Sequence, residues 1–422
     1  MNAYSNLAAK LKKIIASYHI LLENFTSLSL LQFVRIITPL ILLPKLISSL
    51  GLEMYGTVVF AQTLVFFFMV IINFGFDMSG TSQIAIHKAN KEKISSIVVS
   101  ITAAKILLLL VSSISYLIVI YYFKELWAYR HLYLLSFLFC LQDILIPVWL
   151  FQGLEKMKFI TIGDVTSRLI YLMLTLSFVA NEADYLLVPT FRFIGVLFAG
   201  SISLYIIIVK EKMVFAATSF KEIKYYIKDS APFFISKLSG IIDERTNTLI
   251  LGMSLGMESV AYYDFVSKII GAINSIFGTF IRVVYPRIAS TRNKVAVRKI
   301  LAFIVVLSVS SYLLLILASR QLILIFAGPE MLPAQLYIYF LGLMIPLTLI
   351  GWTTGDLGLA AFGYSKVYSR SAVLSTIIYL GIVALIYFFS SFTIMALIMA
   401  LLTRSAITDI YRLYYCRKYS IL

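Results

Sequence analysis

Charge is scarce in this sequence. Of its 422 residues, 13% are Asp, Glu, Lys or Arg and 61% are hydrophobic, where soluble domains carry about 25% charged and about 45–50% apolar residues. That balance excludes a soluble fold. Cysteine is almost absent, and Cys140 and Cys416 support no disulfide framework. The three histidines, His19, His87 and His131, are scattered and form no metal motif, so no metal and no cofactor is expected. No phosphate-binding P-loop occurs, which argues against direct ATP hydrolysis. No acidic catalytic cluster and no long polar loop is visible, so no catalytic residue is assigned and an enzyme is not expected. Residues 1–25 lack the small-residue cleavage site of a signal peptide. Leu7, Leu11, Ile14, Tyr18 and Leu22 instead share one stripe, as in an interfacial amphipathic helix.

What the sequence has is long apolar runs, such as "GTVVFAQTLVFFFMVIINFGF" (56–76) and "AAKILLLLVSSISYLIVIYYF" (103–123). Each reaches the roughly 20 residues of a spanning helix. Without short-period alternation they predict helices rather than a β-barrel. Twelve spans are expected, near 28–48, 56–77, 96–122, 131–151, 160–180, 186–209, 231–253, 260–283, 300–318, 334–356, 371–389 and 393–413. The net charge of +16 is concentrated in alternate connections, from Lys10, Lys12 and Lys13 through Lys88, Lys91 and Lys93 to Arg412, Arg417 and Lys418. The intervening connections hold only Lys124, Arg130 and Arg320. By the positive-inside rule both termini are cytoplasmic. The charge is therefore topological, and nucleic acid is not an expected partner.

A repeat runs through the chain. "SLGLEMYGTVVFAQ" (49–62) matches "SLGMESVAYYDFVS" (254–267), pairing Leu50 with Leu255, Gly51 with Gly256, Glu53 with Glu258 and Phe60 with Phe265. The period is about six spans, so the halves cross in the same sense and are related by an axis along the membrane normal. The expected fold is all-α, a polytopic membrane protein of about 12 transmembrane helices in two six-helix pseudo-symmetric bundles. Its expected parts are an interfacial helix (1–25), an N-terminal bundle (26–209), a basic cytoplasmic linker (210–230) and a C-terminal bundle (231–422). Two such bundles are the physical basis of alternating access.

Charges recur inside the spans. On the seventh, Ser236, Lys237, Gly240, Asp243, Glu244 and Asn247 fall in one arc, with Arg245 beside it. A charge at the bilayer centre costs at least about 2.5–3.5 kcal/mol, so this arc faces protein or water rather than lipid. Arg35, Lys105, Asp143, Arg192 and Arg404 lie at similar depth. Asp164 with Arg168, and Asp264 with Lys268, are spaced to pair on one helix face. The set leans basic, which suits an anionic substrate. Arg35, Lys237 and Arg245 are the candidate substrate contacts. Asp243 and Glu244 are candidate couplers of H+ or Na+, with plain pairing to Lys237 and Arg245 as the alternative. Lys105, Asp143, Arg192, Lys268 and Arg404 are secondary cavity charges.

The segments "SLGLEMYGTVVFAQTL" (49–64), "NFGFDMSGTSQIA" (73–85), "PVWLFQGLEKMKFITI" (147–162) and "AAFGYSKVY" (360–368) resemble the Wzx-type O-antigen flippases, or polysaccharide biosynthesis proteins. These belong to the multidrug/oligosaccharidyl-lipid/polysaccharide exporter superfamily. The resemblance implies translocation of an undecaprenyl-pyrophosphate-linked oligosaccharide across a bacterial inner membrane, from the cytoplasmic to the periplasmic face. It implies pyrophosphate or acidic-sugar contacts for Arg35, Lys237 and Arg245. Membrane lipids, a periplasmic-side polysaccharide polymerase and a chain-length regulator are the implied partners. The alternatives are a cation-coupled multidrug exporter, which the basic set argues against, and a membrane-embedded polymerase or glycosyltransferase, for which no acidic cluster or large loop is seen.

Overall fold

The computed structural model describes the backbone of residues 2–213, 218–389 and 392–422, and the side chains within it except those of residues 2–22, 24, 25, 236, 243 and 244. Among the described residues the chain is all helix and turn, with no strand. It sorts into two compact units, Met1–Thr38 with Leu64–Leu238, and Pro39–Thr63 with Ser239–Leu422. Compactness thus divides the chain inside two long helices, while the sequence repeat divides it near 210–230.

The first unit holds both ends of α1 (Asn2–Asn73), then α2 (Phe76–Ile86) and α3 (Lys91–Tyr122). Asn90 starts α3 by accepting the Lys93 N–H at 3.0 Å. After the short α4 (Lys124–Ala128), the fourth pass is broken into α5 (Arg130–Phe137), α6 (Gln142–Leu145) and α7 (Val148–Gly153). Pro147 causes the last break: it has no N–H, and it forces Ile146 out of helical geometry (φ −118°, ψ 85°). Next come α8 (Met157–Phe178), α9 (Leu187–Tyr205) and the start of α10 (Phe220–Leu255). The core gathers Phe76, Ile84, Ile97, Ile101, Trp149 and Phe151. Gly80 is required there, because a Cβ on it would lie 2.8 Å from the Trp149 ring.

The second unit takes the middle of α1, the rest of α10, and α11 (Met257–Thr291), α12 (Lys294–Phe326), α13 (Ala334–Leu341) and α14 (Met344–Trp352). The last continues as π-helix over Thr353–Ala360, followed by α15 (Ser365–Phe389) and α16 (Ile394–Lys418). The matched glycines of the repeat make the same turn: Gly51 has φ 73° and ψ 170°, and Gly256 has φ 88° and ψ 170°. Only glycine adopts this geometry readily. The two turns then pack on each other. A Cβ on Gly56 would lie 1.8 Å from the Met257 carbonyl oxygen, and one on Gly252 would lie 2.2 Å from the Phe60 ring.

Ten helical stretches among the described residues are long and apolar enough to cross a membrane. The first, Thr26–Ile86, is 61 residues long and kinked at Gly51, and at about 1.5 Å per residue it is too long for one crossing, so it supplies two passes. Helix α10 is 36 residues long and carries the charges that remove it from that apolar set. With both counted, the twelve expected passes are present. Helix α10 begins at Phe220, eleven residues before the expected span, because Lys221, Glu222, Lys224 and Lys228 are good helix formers whatever their hydropathy. Residues 214–217 of the linker lie outside the described residues. So do most side chains of the expected amphipathic segment, whose backbone runs on into α1. Leu110, Ile114 and Ile118 on α3, Val306 and Leu317 on α12, and Ile377 and Leu385 on α15 are exposed. These are the faces a bilayer would cover.

Candidate functional site

In the first unit the intramembrane charges form two groups. Arg35 Nε donates to Asp164 Oδ2 at 2.8 Å, and Arg168 Nε donates to the same oxygen at 3.1 Å. Asp164 is buried, whereas the two guanidinium side chains remain 41% and 31% exposed, so this pair reaches a solvated or lipid-facing edge. The second group is a chain of polar contacts. Lys105, fully enclosed on α3, donates to the Asp143 carbonyl at 2.9 Å, with its Nζ 4.0 Å from Asp143 Oδ1. That carbonyl would bond the N–H of residue 147 in a regular helix; Pro147 leaves it open, and the lysine takes it. Asn73 Nδ2 donates to Asp143 Oδ1 at 3.0 Å, Lys237 Nζ donates to Asn73 Oδ1 at 3.3 Å, and Lys237 pairs with Asp77.

The chain break between α1 and α2 makes this second group. Phe74 (φ 47°) and Gly75 (φ 79°) both adopt left-handed geometry, which turns Asn73 and Asp77 toward Lys237. Gly75 also lies against α10, since a Cβ on it would come within 2.7 Å of Phe233 Cβ. Arg192 is held differently. Its guanidinium sits 3.6 Å from the Phe139 ring centroid and 5.7 Å from that of Phe66, a cation–π arrangement.

In the second unit, Asn247 of α10 is buried between two tyrosines, donating to Tyr263 OH at 3.1 Å and accepting a short hydrogen bond from Tyr379 OH. Arg404 lies over the Tyr379 ring at 5.8 Å, and Arg245 and Arg404 both act electrostatically on Tyr263. The fold therefore collects Arg245 and Arg404, from α10 and α16, around one hydrogen-bonded core. A third group stands at the packed turns. Tyr55 OH donates to Asp264 Oδ2 at 2.5 Å, and Lys268 Nζ donates to the same oxygen at 2.6 Å and to Tyr55 OH at 2.9 Å.

The expected pairs Asp164–Arg168 and Asp264–Lys268 both form. Lys237 joins Lys105 and Asp143, while Arg35 lies apart from them on Asp164. The side chains of Asp243 and Glu244 lie outside the described residues. The sequence reading missed Asn73, Asp77, Tyr55 and Tyr379; the one signal that pointed to any of them was the "NFGFD" turn. Among the described residues no group of His, Cys, Asp and Glu could hold a metal ion.

The family model for polysaccharide biosynthesis proteins matches residues 21–292, more than half of the chain. The chain belongs to that family. Among its curated relatives, a protein of Escherichia coli (strain K12) named "Putative O-antigen transporter" is 27% identical over 73% of this chain and 75% of its own. A protein of Shigella dysenteriae with the same name is 24% identical over 85% and 91%. The chain also shares the fold of an inward-facing multidrug resistance MATE family transporter of the MOP superfamily, with TM-score 0.68 at 13% identity over 94% of this chain and 98% of the other. The lipid II flippase MurJ, in an inward closed conformation, gives TM-score 0.68 at 15% identity over 94% and 87%. The helical architecture is thus the fold of these two solved structures.

Proposed function

We propose that this protein is a flippase, not an enzyme. It moves undecaprenyl-pyrophosphate-linked O-antigen or related repeat units from the cytoplasmic to the periplasmic face of a bacterial inner membrane, with both termini cytoplasmic. A sugar pyrophosphate cannot cross hydrocarbon unaided, while its polyprenyl tail never needs to leave it. What supports the reading most is the gathering of Arg245 and Arg404 at the Asn247–Tyr263–Tyr379 core, within helices of a membrane domain. Guanidinium groups bind phosphate oxygens through paired N–H donors, and hydroxyl and amide groups bind sugar hydroxyls. Arg35 and Lys237 are the corresponding contacts in the first unit, reached when their bonds to Asp164 and Asp77 exchange for bonds to the substrate. Transport runs by alternating access and is driven by an H+ or Na+ gradient. Asp243 and Glu244 are coupling candidates, and a polysaccharide polymerase and chain-length regulator receive the product.

The test is headgroup translocation in proteoliposomes, with a fluorescent undecaprenyl-pyrophosphate oligosaccharide followed by protection from an impermeant quencher. Wild type is expected to protect the probe, and Arg245→Ala to lower the rate at unchanged membrane insertion. Absence of protection with any cognate glycolipid, together with export of organic cations, would replace this reading with drug export.

A further inference from the structure

Helix α16 approaches the end of α14 more closely than ordinary side chains allow. A Cβ on Gly351 would lie 2.6 Å from Asp409 Oδ1 and 3.4 Å from Arg412 Nη1. One on Gly355 would lie 3.0 Å from Arg412 Nη1, and one on Gly358 would lie 2.8 Å from Cys416 Sγ. Gly355 and Gly358 lie in the π-helix Thr353–Ala360, a form that concentrates at functional sites. One carbonyl of α14 and one of the π segment are already used by α16: Gly351 O accepts from Arg412 Nη1 at 2.9 Å, and Thr354 O accepts from Cys416 Sγ at 3.4 Å.

Asp409 is the exception in this seam. It is 6% exposed, and its Oδ2 is buried without a hydrogen-bond partner. A buried anionic oxygen with no donor costs more than a neutral group in the same place. Asp164, by contrast, is bonded directly by two arginines. Arg412 is instead committed to Ser371 Oγ at 2.9 Å, to Gly351 O and to the Tyr368 ring. Of the other elements packed on α16, α14 contributes no charge and α13 contributes Tyr337 and Tyr339. The π segment contributes Asp356, which is bonded to Tyr368, and α15 contributes Lys366, Tyr368, Arg370 and Tyr379. The charges that act on Asp409 are Arg412 and Arg404, both on its own helix.

We infer that Asp409 is a proton-carrying site of this transporter, binding and releasing a proton at Oδ2 during the cycle. A proton from water on the acidic side forms the O–H bond, turning carboxylate into carboxylic acid. The same bond breaks when the seam opens to the other side, and the proton returns to water. No oxidant or further reactant is involved. The site rests on the flippase reading for its role and on the α14–α16 packing for its existence.

Two measurements test it. In the quencher assay, an imposed proton gradient is expected to accelerate wild type and Asp409→Glu. In Asp409→Asn the ratio of rates with and without the gradient falls to unity while exchange without a gradient persists. An Asp409→Asn protein that still responds to the gradient, or a wild type that responds to sodium and not to protons, overturns the inference. Because the variant could fail to fold, infrared difference spectroscopy is applied to purified wild type and Asp409→Asn without glycolipid. A protonated-carboxyl band that titrates in wild type and is missing from a folded Asp409→Asn supports the site; identical bands overturn it. If wild type moves no glycolipid yet shows that band, the flippase reading fails and the proton site stands.

Discussion

Replacing Tyr55 by Phe removes a single hydroxyl and leaves the ring, so it isolates the polar contacts of that hydroxyl, to Asp264 and to Lys268, at the packed turns of the second unit. Tyr55 is 1% exposed, and its hydroxyl donates to Asp264 Oδ2 at 2.5 Å. No cavity forms, since the ring stays in place, and the transfer term is therefore small. The loss is a hydrogen bond to a charged group, worth about 1.5–3 kcal/mol. Lys268, 2.6 Å from the same oxygen, keeps the carboxylate paired, which places the expectation at the lower end, about 1.5–2 kcal/mol. At roughly 2–4 °C per kcal/mol for a body of 150–250 residues, the unfolding midpoint falls by about 3–8 °C. Asp264→Ala is harsher: it leaves Lys268 and the Tyr55 hydroxyl without their shared acceptor, at about 3–5 kcal/mol for a fully buried pair, less here because Lys268 is partly exposed. The assay is thermal unfolding of detergent-purified protein followed by tryptophan fluorescence, run as a double-mutant cycle. In the Asp264→Ala background, Tyr55→Phe should cost less than in wild type, because only the Lys268 contact to its hydroxyl at 2.9 Å is left to lose. Equal cost in both backgrounds would refute the bond between the turns and leave only ring packing.

Gly56→Ala places a methyl group 1.8 Å from a backbone oxygen that no rotamer change can move, so the yield of folded protein should collapse. Gly271→Ala, with nothing within 4 Å of its added Cβ, is the control and should match wild type in gel filtration. Outside the membrane, Glu222 at the start of α10 accepts from the Ser219 N–H at 3.4 Å and from the hydroxyls of Thr218 and Ser96 at 3.2 and 3.3 Å. The Ser219 amide bond, aided by both hydroxyls and outweighing partial desolvation, holds its carboxyl below the usual value. Its stabilisation is therefore present above the unfolded value of about 4.3 and is lost as pH falls through the lower folded value. Glu222→Gln should flatten that acid limb in a stability-versus-pH series and leave the neutral region nearly unchanged.

How far the sequence could be read depended on whether a partner is local. Asp164–Arg168 and Asp264–Lys268 were legible because helix geometry alone brings residues four apart together. The third members, Arg35 and Tyr55, lie 129 and 209 residues from their acids, and no periodicity reaches that far. The twelve passes were legible from hydropathy, and the Gly51 and Gly256 turns from the repeat. The start of α10 was not, because a charged helical extension looks like a linker to a hydropathy window. Asp77 and Asn73 read as the end of a span, since only the left-handed Phe74–Gly75 step turns them inward.

The Lys105 contact sits where a helix is irregular, and one cycle can test whether the irregularity creates the contact. Pro147 leaves the Asp143 carbonyl without its helical donor, and Lys105 supplies the replacement at 2.9 Å. In wild type, Lys105→Met strands that carbonyl in the interior, at about 1–3 kcal/mol for a buried unsatisfied group. Asp143 Oδ1 still accepts from Asn73 at 3.0 Å, so the carboxylate is not stranded with it. In a Pro147→Ala background the new N–H of residue 147 can close the helical bond to Asp143, and the lysine is no longer needed there. Lys105→Met should then cost at least about 1 kcal/mol less in thermal unfolding than it does alone, by the same unsatisfied-group term. Strict additivity of the two substitutions would mean that Lys105 is held by the Asp143 carboxylate rather than by the carbonyl. The break at Pro147 would then be incidental to the charge buried beside it.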